Sequence, residues 1–150
     1  MTRRRKTSRK RSASSSIAKR LESAVFYLDE SIYSRILSEE LERVGTTVRR
    51  PRVDVPAGTR DAIWLATAGN QGWIVLMRDQ RVKHRALEIQ ALRDARVGAF
   101  VLTAGQATAQ SSSVVILSKL KTILNISRSE RKPFLYTIGM TGALSKVNIR

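Results

Sequence analysis

Gly72-Trp73-Ile74-Val75-Leu76-Met77-Arg78-Asp79 is the stretch whose reading decides the fold. Trp73 to Met77 is continuous and apolar, as a strand covered on both faces must be. Buried strands of that kind belong to parallel sheets with helices on either side. A glycine turn precedes the run and an Arg-Asp pair follows it, which fixes its length.

On the N-terminal side, Thr59 can cap a helix over Arg60 to Ala68 that closes at Gly69-Asn70-Gln71-Gly72. Pro51 and Pro56 bracket a loop before it, and Thr46-Thr47-Val48 reads as a short strand. The segment Ser31 to Val44 reads as a helix. Its residues Ile32, Ile36, Leu37, Leu41 and Val44 fall on one face, and Gly45 supplies the stop. Ala24-Val25-Phe26-Tyr27-Leu28 is a first apolar strand that ends at Asp29.

On the C-terminal side, a helix is expected from about Lys83 to Ala95 and a strand at Gly98 to Leu102. Ser111 to Ser113 precede one more helix, with Val114, Val115, Leu117, Leu120, Ile123 and Leu124 as its buried side. Pro133 ends that helix, Phe134 to Met140 is a fifth strand, and Leu144 to Ile149 can pair with it as a hairpin. No internal repeat is present. Alternating strands and helices imply right-handed crossovers. The expected fold is therefore α/β, a three-layer α/β/α arrangement with a mainly parallel central sheet of about five strands.

The 150 residues suit one domain. Nine Lys or Arg and no acid lie between Met1 and Arg20, more than half of the formal net charge of +16. Residues 1–22 therefore read as a disordered basic arm ahead of a domain at 23–150. Such an arm favours polyanions through counterion release, without sequence preference. A solubility tail or an acidic-partner contact is the plainer reading of the same residues. No apolar run is long enough to span a bilayer, so no membrane role is expected. The chain has no cysteine, which excludes disulfides and thiolate metal sites, and a cytoplasmic location is expected.

In a parallel sheet the site lies beyond the carboxyl ends of the strands. Acids are scarce, twelve against twenty-eight basic residues, yet Asp29 and Asp79 follow the first and third strands. Asp61 starts the helix that feeds the third strand. Carboxylates brought together repel, and a hard divalent cation such as Mg²⁺ or Mn²⁺ relieves that repulsion through oxygen ligands. Its waters can then attack phosphorus. Glu40 falls inside the apolar face of its helix, so it is either a further acid of the site or ion-paired to an arginine. Arg78, Arg81, Lys83 and Arg85 would rim the site and can hold a phosphate backbone, beside His84. Thr103, after the fourth strand, can bind phosphate or a metal water. Each has a bland counterpart: a strand end, a helix-dipole partner or a solvated helix start. Trp64 and Trp73 read as core.

Phe26-Tyr27-Leu28-Asp29-Glu30-Ser31, Asp61-Ala62-Ile63-Trp64-Leu65-Ala66 and Gly72 to Asp79 together resemble the PIN-like family of short nuclease domains related to VapC-type toxins. The resemblance covers Val25 to Leu102 well. It implies a Mg²⁺- or Mn²⁺-dependent endoribonuclease with Asp29, Asp61 and Asp79 as metal-site acids. It also implies a toxin role opposed by a cognate antitoxin protein, and a homodimer. The chain departs from the family pattern at Ala62, where a second acid is frequent, and in its basic arm. Two other readings stay open. One is a non-catalytic nucleic-acid-binding protein, a degenerate domain of the same kind. The other is a phospho-receiver domain using Asp29-Glu30, Asp79, Thr103 and Lys146, although Val147 stands where a proline usually follows that lysine.

Overall fold

Strand β3 (Ile74–Arg78) sits near the middle of the sheet, between β1 (Val25–Leu28) and β4 (Gly98–Leu102). The computed structural model describes residues 17–50, 61–78, 85–103 and 107–149, with backbone alone for 61–62 and 85–88. Beside β1 lies β2 (Thr47–Arg49), and beyond β4 lie β5 (Phe134–Ile138) and β6 (Leu144–Val147). The order is β2-β1-β3-β4-β5-β6. The first five strands are parallel, and β6 turns back antiparallel to β5. The expected hairpin partner is thus a sixth strand of the sheet.

The helices are α1 (residues 17–23), α2 (Arg35–Arg43), α3 (Asp61–Gln71), α4 (Arg85–Ala95), α5 (Ala109–Ser118) and α6 (Leu120–Ser129). Alternate strand residues divide into two cores, as the pleat requires. Phe26, Leu28, Ile74, Leu76, Phe100 and Leu102 pack with Leu37 and Leu41 of α2, Ile116 of α5 and Ile123 of α6. Tyr27, Val75, Met77 and Ala99 face the other way, against Trp64, Leu65 and Ala68 of α3 and Leu92 of α4. Helices therefore cover both faces of a mainly parallel sheet, the three-layer α/β/α fold read from the sequence. Trp64 is a core residue as expected, with its ring stacked on Tyr27 at 4.5 Å between centroids.

Several details differ from the expectations. Residues 17–22, assigned to the basic arm, belong to α1, and Leu21 packs against the first core cluster. The part of the arm at 1–16 lies outside the described residues. The stretch from Ser111 to Pro133 holds two helices that divide at Lys119, and α5 runs through the serines instead of following them. Thr108 caps it by accepting the backbone N–H of Ser111 at 3.0 Å. Val114, expected inside, is 63% exposed, while Ile116 is buried.

The buried face of α2 is also rotated from its expected position. Leu37, Ser38 and Leu41 are buried, whereas Ile36 is 45% exposed and Val44 is 37% exposed. The cause lies upstream. Ile32 fills the core from the turn before the helix, and Ser34 caps α2 by accepting the N–H of Leu37 at 3.1 Å. The helix therefore starts later than its apolar pattern suggests, and its phase follows the cap. Among the described residues no helix is long and apolar enough to cross a membrane.

Candidate active site

The strand order reverses between β1 and β3, with β2 on one side of β1 and β4 beyond β3. In open parallel sheets the crevice forms at such a switch point, outside the carboxyl ends of the strands. Asp29 and Arg78 stand there on adjacent strands. The backbone N–H of Asp29 donates to the carbonyl of Leu76 at 3.0 Å, which continues the ladder past the end of β1.

The carboxylate of Asp29 is fixed in place by Ser31. One oxygen, Oδ2, accepts the Ser31 backbone N–H at 3.0 Å and also the Ser31 hydroxyl. An aspartate that bonds the residue two positions on forms a local turn, which sends the chain away from the sheet at once. The Asp29 carbonyl completes the turn by accepting from the N–H groups of Ile32 and Tyr33 at 3.0 and 2.9 Å. Ser31 Oγ in turn accepts the backbone N–H of Arg78 at 2.9 Å. The second carboxylate oxygen, Oδ1, accepts no hydrogen bond among the described residues.

Arg78 is the last residue of β3 and points to the α5 side of the sheet, in phase with Ile74 and Leu76. Its guanidinium donates to the hydroxyl of Ser112, which is only 1% exposed. The Nε of Arg78 is buried and has no hydrogen-bond partner among the described residues. Thr103 lies at the same end of the sheet, after β4. Both its N–H and its hydroxyl are committed to the carbonyl of Ile138, at 3.0 and 3.3 Å, and this ties the ends of β4 and β5 together.

Asp61 opens α3, whose side chains are described from residue 63 onward. Gly72 and Trp73 alone join α3 to β3. Eleven helical residues rise about 16 Å, and five strand residues span nearly the same length. A crossover helix running antiparallel to its strand thus brings its start back to the end of the sheet where β3 finishes. Asp61 is therefore on the side of Asp29. Asp79, Arg81, Lys83 and His84 lie outside the described residues, and Arg85 opens α4 with its side chain undescribed. Among the described residues no three acidic or histidine side chains gather.

Glu40 is not brought to this site. It pairs with Arg43 one turn later on α2, at 2.9 Å, with its side chain 35% exposed. This is the ion-paired outcome of the two that its position allowed. Lys146 does not serve a phospho-receiver site either, because it lies on the antiparallel β6 and donates to Glu130 at 3.1 Å.

Two residues of the arrangement escaped the sequence reading. Ser31 carried a usable signal, since a serine two positions after an aspartate can close a turn. Ser112 sits in a serine triplet that resembles a loop, and only the fold shows it beneath Arg78.

Neither the curated proteins nor the solved structures yielded a match to the chain. The family model described as PIN like domain matches residues 24–104, a segment that runs from the residue before β1 to just beyond β4. That segment is more than half of the 150 residues and contains Asp29, Asp61 and Asp79. On that match, with the three-layer sheet and an aspartate at its switch point, the chain belongs to the PIN-like domain family.

Proposed function

We propose that this protein is a Mg²⁺- or Mn²⁺-dependent ribonuclease whose site lies at the carboxyl ends of β1 and β3. The observation that carries this reading is the state of Asp29. One of its carboxylate oxygens is locked by two donors from Ser31, and the other, at the switch point of the sheet, accepts no hydrogen bond among the described residues. An oxygen ligand that is oriented yet unused suits a hard divalent cation. Asp29 would hold that ion together with Asp61 and Asp79, the acids at the α3 start and directly after Arg78 in sequence. When bound, the ion supplies an acidified water and positive charge beside phosphorus.

The residues themselves do the rest. Ser31 fixes the Asp29 rotamer and ties it to the backbone of Arg78, so both strand ends keep one spacing. Arg78, steadied by Ser112, sets a permanent positive charge at the rim, where a phosphodiester anion would lie. The finer form of this reading, a toxin that pairs with a cognate antitoxin and acts as a homodimer, rests on the resemblance to VapC-type proteins. Ala62 favours a second reading, in which the domain binds RNA without cutting it, because an acid is frequent at that position in the family.

The test is incubation of the full chain with a mixed single-stranded RNA pool in Mg²⁺, in Mn²⁺ and in chelator, beside Asp29→Asn and Asp79→Asn. Cleavage that needs the metal and is lost in both variants is the expected result. RNA bound equally by all three proteins, with no cleavage in either metal, would leave the binding reading in its place.

A further inference from the structure

At the opposite pole of the sheet lies a cavity of about 680 Å³, bordered by Val25 and Ile74, the first residues of β1 and β3. Four cations line it: Lys19 and Arg20 from α1, Arg128 from the last turn of α6, and Lys132 just before β5. No acid is among the lining residues. Arg128 also answers the negative end of the α6 dipole. That role accounts for one of the four charges and not for the others. Lys19, Arg128 and Lys132 make no ion pair among the described residues, and Arg20 reaches only the neutral Asn125 Oδ1, at 2.8 Å.

Two buried polar atoms of the lining also lack hydrogen-bond partners among the described residues, Nε of Arg20 and Oγ of Ser127. Arg20 Nε can only donate, and the Ser127 hydroxyl has a proton to give. A buried donor without an acceptor has given up its bonds to water and gained none in return. The cavity therefore combines clustered positive charge with unused donors and presents no carboxylate to satisfy them. The complementary ligand is an anion rich in acceptor oxygens.

We infer that this cavity is a second, non-catalytic site that grips backbone phosphates of single-stranded RNA. The inference rests on the proposed ribonuclease reading for the identity of the polyanion. A polynucleotide is favoured over a free anion by two observations. The space is far larger than one phosphate needs, and seven of the sixteen residues that lead into α1 are Lys or Arg. Lys19 and Arg20 follow within four residues, so the basic run of the sequence continues into the cavity wall. Lys19, Arg20, Ser127, Arg128 and Lys132 all lie outside the segment that matches the family, so this site is a feature of the chain's own flanks.

The test is binding of a labelled single-stranded RNA to the full chain in chelator, across a range of salt concentrations, by fluorescence anisotropy. The double variant Arg128→Gln/Lys132→Gln is compared with Arg43→Gln/Lys121→Gln, which removes the same charge from α2 and the far end of α6. Expected is about a tenfold loss of affinity for the cavity variant, with a salt slope lower by about 1.4, at roughly 0.7 per single-strand phosphate contact. The charge-keeping Arg128→Lys/Lys132→Arg should bind as the parent does, which separates lost contacts from a lost fold. A cavity variant that weakens no more than the control overturns the inference. So does a variant that loses binding of inorganic phosphate while keeping its RNA affinity, because the cavity is then a small-anion site. Binding in chelator is read independently of metal-dependent cleavage. A protein that cuts while its cavity variant keeps full RNA affinity refutes only the second site, and a non-cutting protein with the expected binding loss refutes only the ribonuclease.

Discussion

The hydroxyl of Ser31 accepts the backbone N–H of Arg78 at 2.9 Å, forty-seven positions away in sequence. It donates its own hydrogen bond to the Asp29 carboxylate, so one side chain joins the ends of β1 and β3. Ser31→Ala strands the Arg78 N–H and leaves Asp29 Oδ2 with a single donor. The expected cost is about 1–2 kcal/mol in chemical denaturation. A freer Asp29 rotamer should also slow single-turnover RNA cleavage by about tenfold or more, with little change in RNA affinity. Ser31→Thr retains the hydroxyl and should recover most of both. Parent-like cleavage by Ser31→Ala would show that Asp29 needs no such restraint.

The fold was legible because burial on both faces leaves an unambiguous pattern. Ile74 to Met77 and Ala99 to Leu102 face helices on either side, so no polar alternation interrupts them. The sheet end of the candidate site followed from those strands, since Asp29, Arg78 and Thr103 each stand at or just past a strand's carboxyl end. The phase of α2 was not legible. It carries two rival apolar stripes, Ile36 with Val44 and Leu37 with Leu41, and Glu40 is inward on only the first. The choice between them is made by the Ser34 cap and the Asp29–Ser31 turn, local bonds that set where the helix starts and that the apolar pattern does not weigh. The division of α5 from α6 at Lys119 was equally hidden, since no Gly or Pro marks it. Ser112 was missed because a buried serine becomes visible only with its partner, and that partner is on β3, thirty-four positions away.

Two glycines permit close packing and should not tolerate alanine equally. A Cβ at Gly69 in α3 would meet the backbone carbonyl oxygen of Ala95 at 2.0 Å, where α3 crosses α4. A Cβ at Gly98 would meet the Phe134 ring at 2.2 Å, on the neighbouring strand and in direct register. Phe134 is flanked edge-on by Phe100 and Tyr136, which limits its retreat. Overpacking of this kind costs about 1–3 kcal/mol. Gly69→Ala gains about 1 kcal/mol in helix propensity, yet its contact is with backbone that cannot rotate away. Both variants should melt below the parent, with Gly69→Ala the lower in spite of its better propensity. A Gly69→Ala protein at least as stable as the parent would show that α3 and α4 can separate.

Tyr136 supplies a pH dependence. Its phenol is raised above the usual value of 10 by desolvation first, then by the hydrogen bond it donates to Glu130 at 2.7 Å and by that carboxylate's charge. A group whose folded value is raised contributes stability that is fully present below its unfolded value. The contribution is then lost as pH rises through the folded value. The stability difference between the parent and Tyr136→Phe should therefore be constant below about pH 10 and shrink above it. Denaturation midpoints across that window measure it. The ultraviolet difference titration of the same pair should show a phenol ionising later than a free tyrosine. A difference that begins to shrink well below pH 10 would contradict the Glu130 contact.

The Arg78–Ser112 contact predicts coupling between a sheet end and the first turns of α5. Ser112 is buried and accepts from a guanidinium whose Nε has no partner among the described residues, so this hydroxyl is the contact expected to place the arginine. A hydrogen bond to a charged group is worth about 1.5–3 kcal/mol. Ser112→Ala should lose about that much stability, and Arg78→Gln should lose a similar amount because it strands the hydroxyl instead. If the two residues act together, the double variant costs less than the summed single costs, with a coupling of about 0.5–3 kcal/mol. Arg78→Lys should not substitute, since an ammonium lacks the planar fork that reaches Ser112 while leaving charge at the rim. The same variants separate placement from charge in RNA cleavage. Ser112→Ala keeps the positive charge and should lower the single-turnover rate less than Arg78→Gln does. Equal rates for Ser112→Ala and the parent, with a coupling near zero, would mean that Arg78 holds its position through β3 alone.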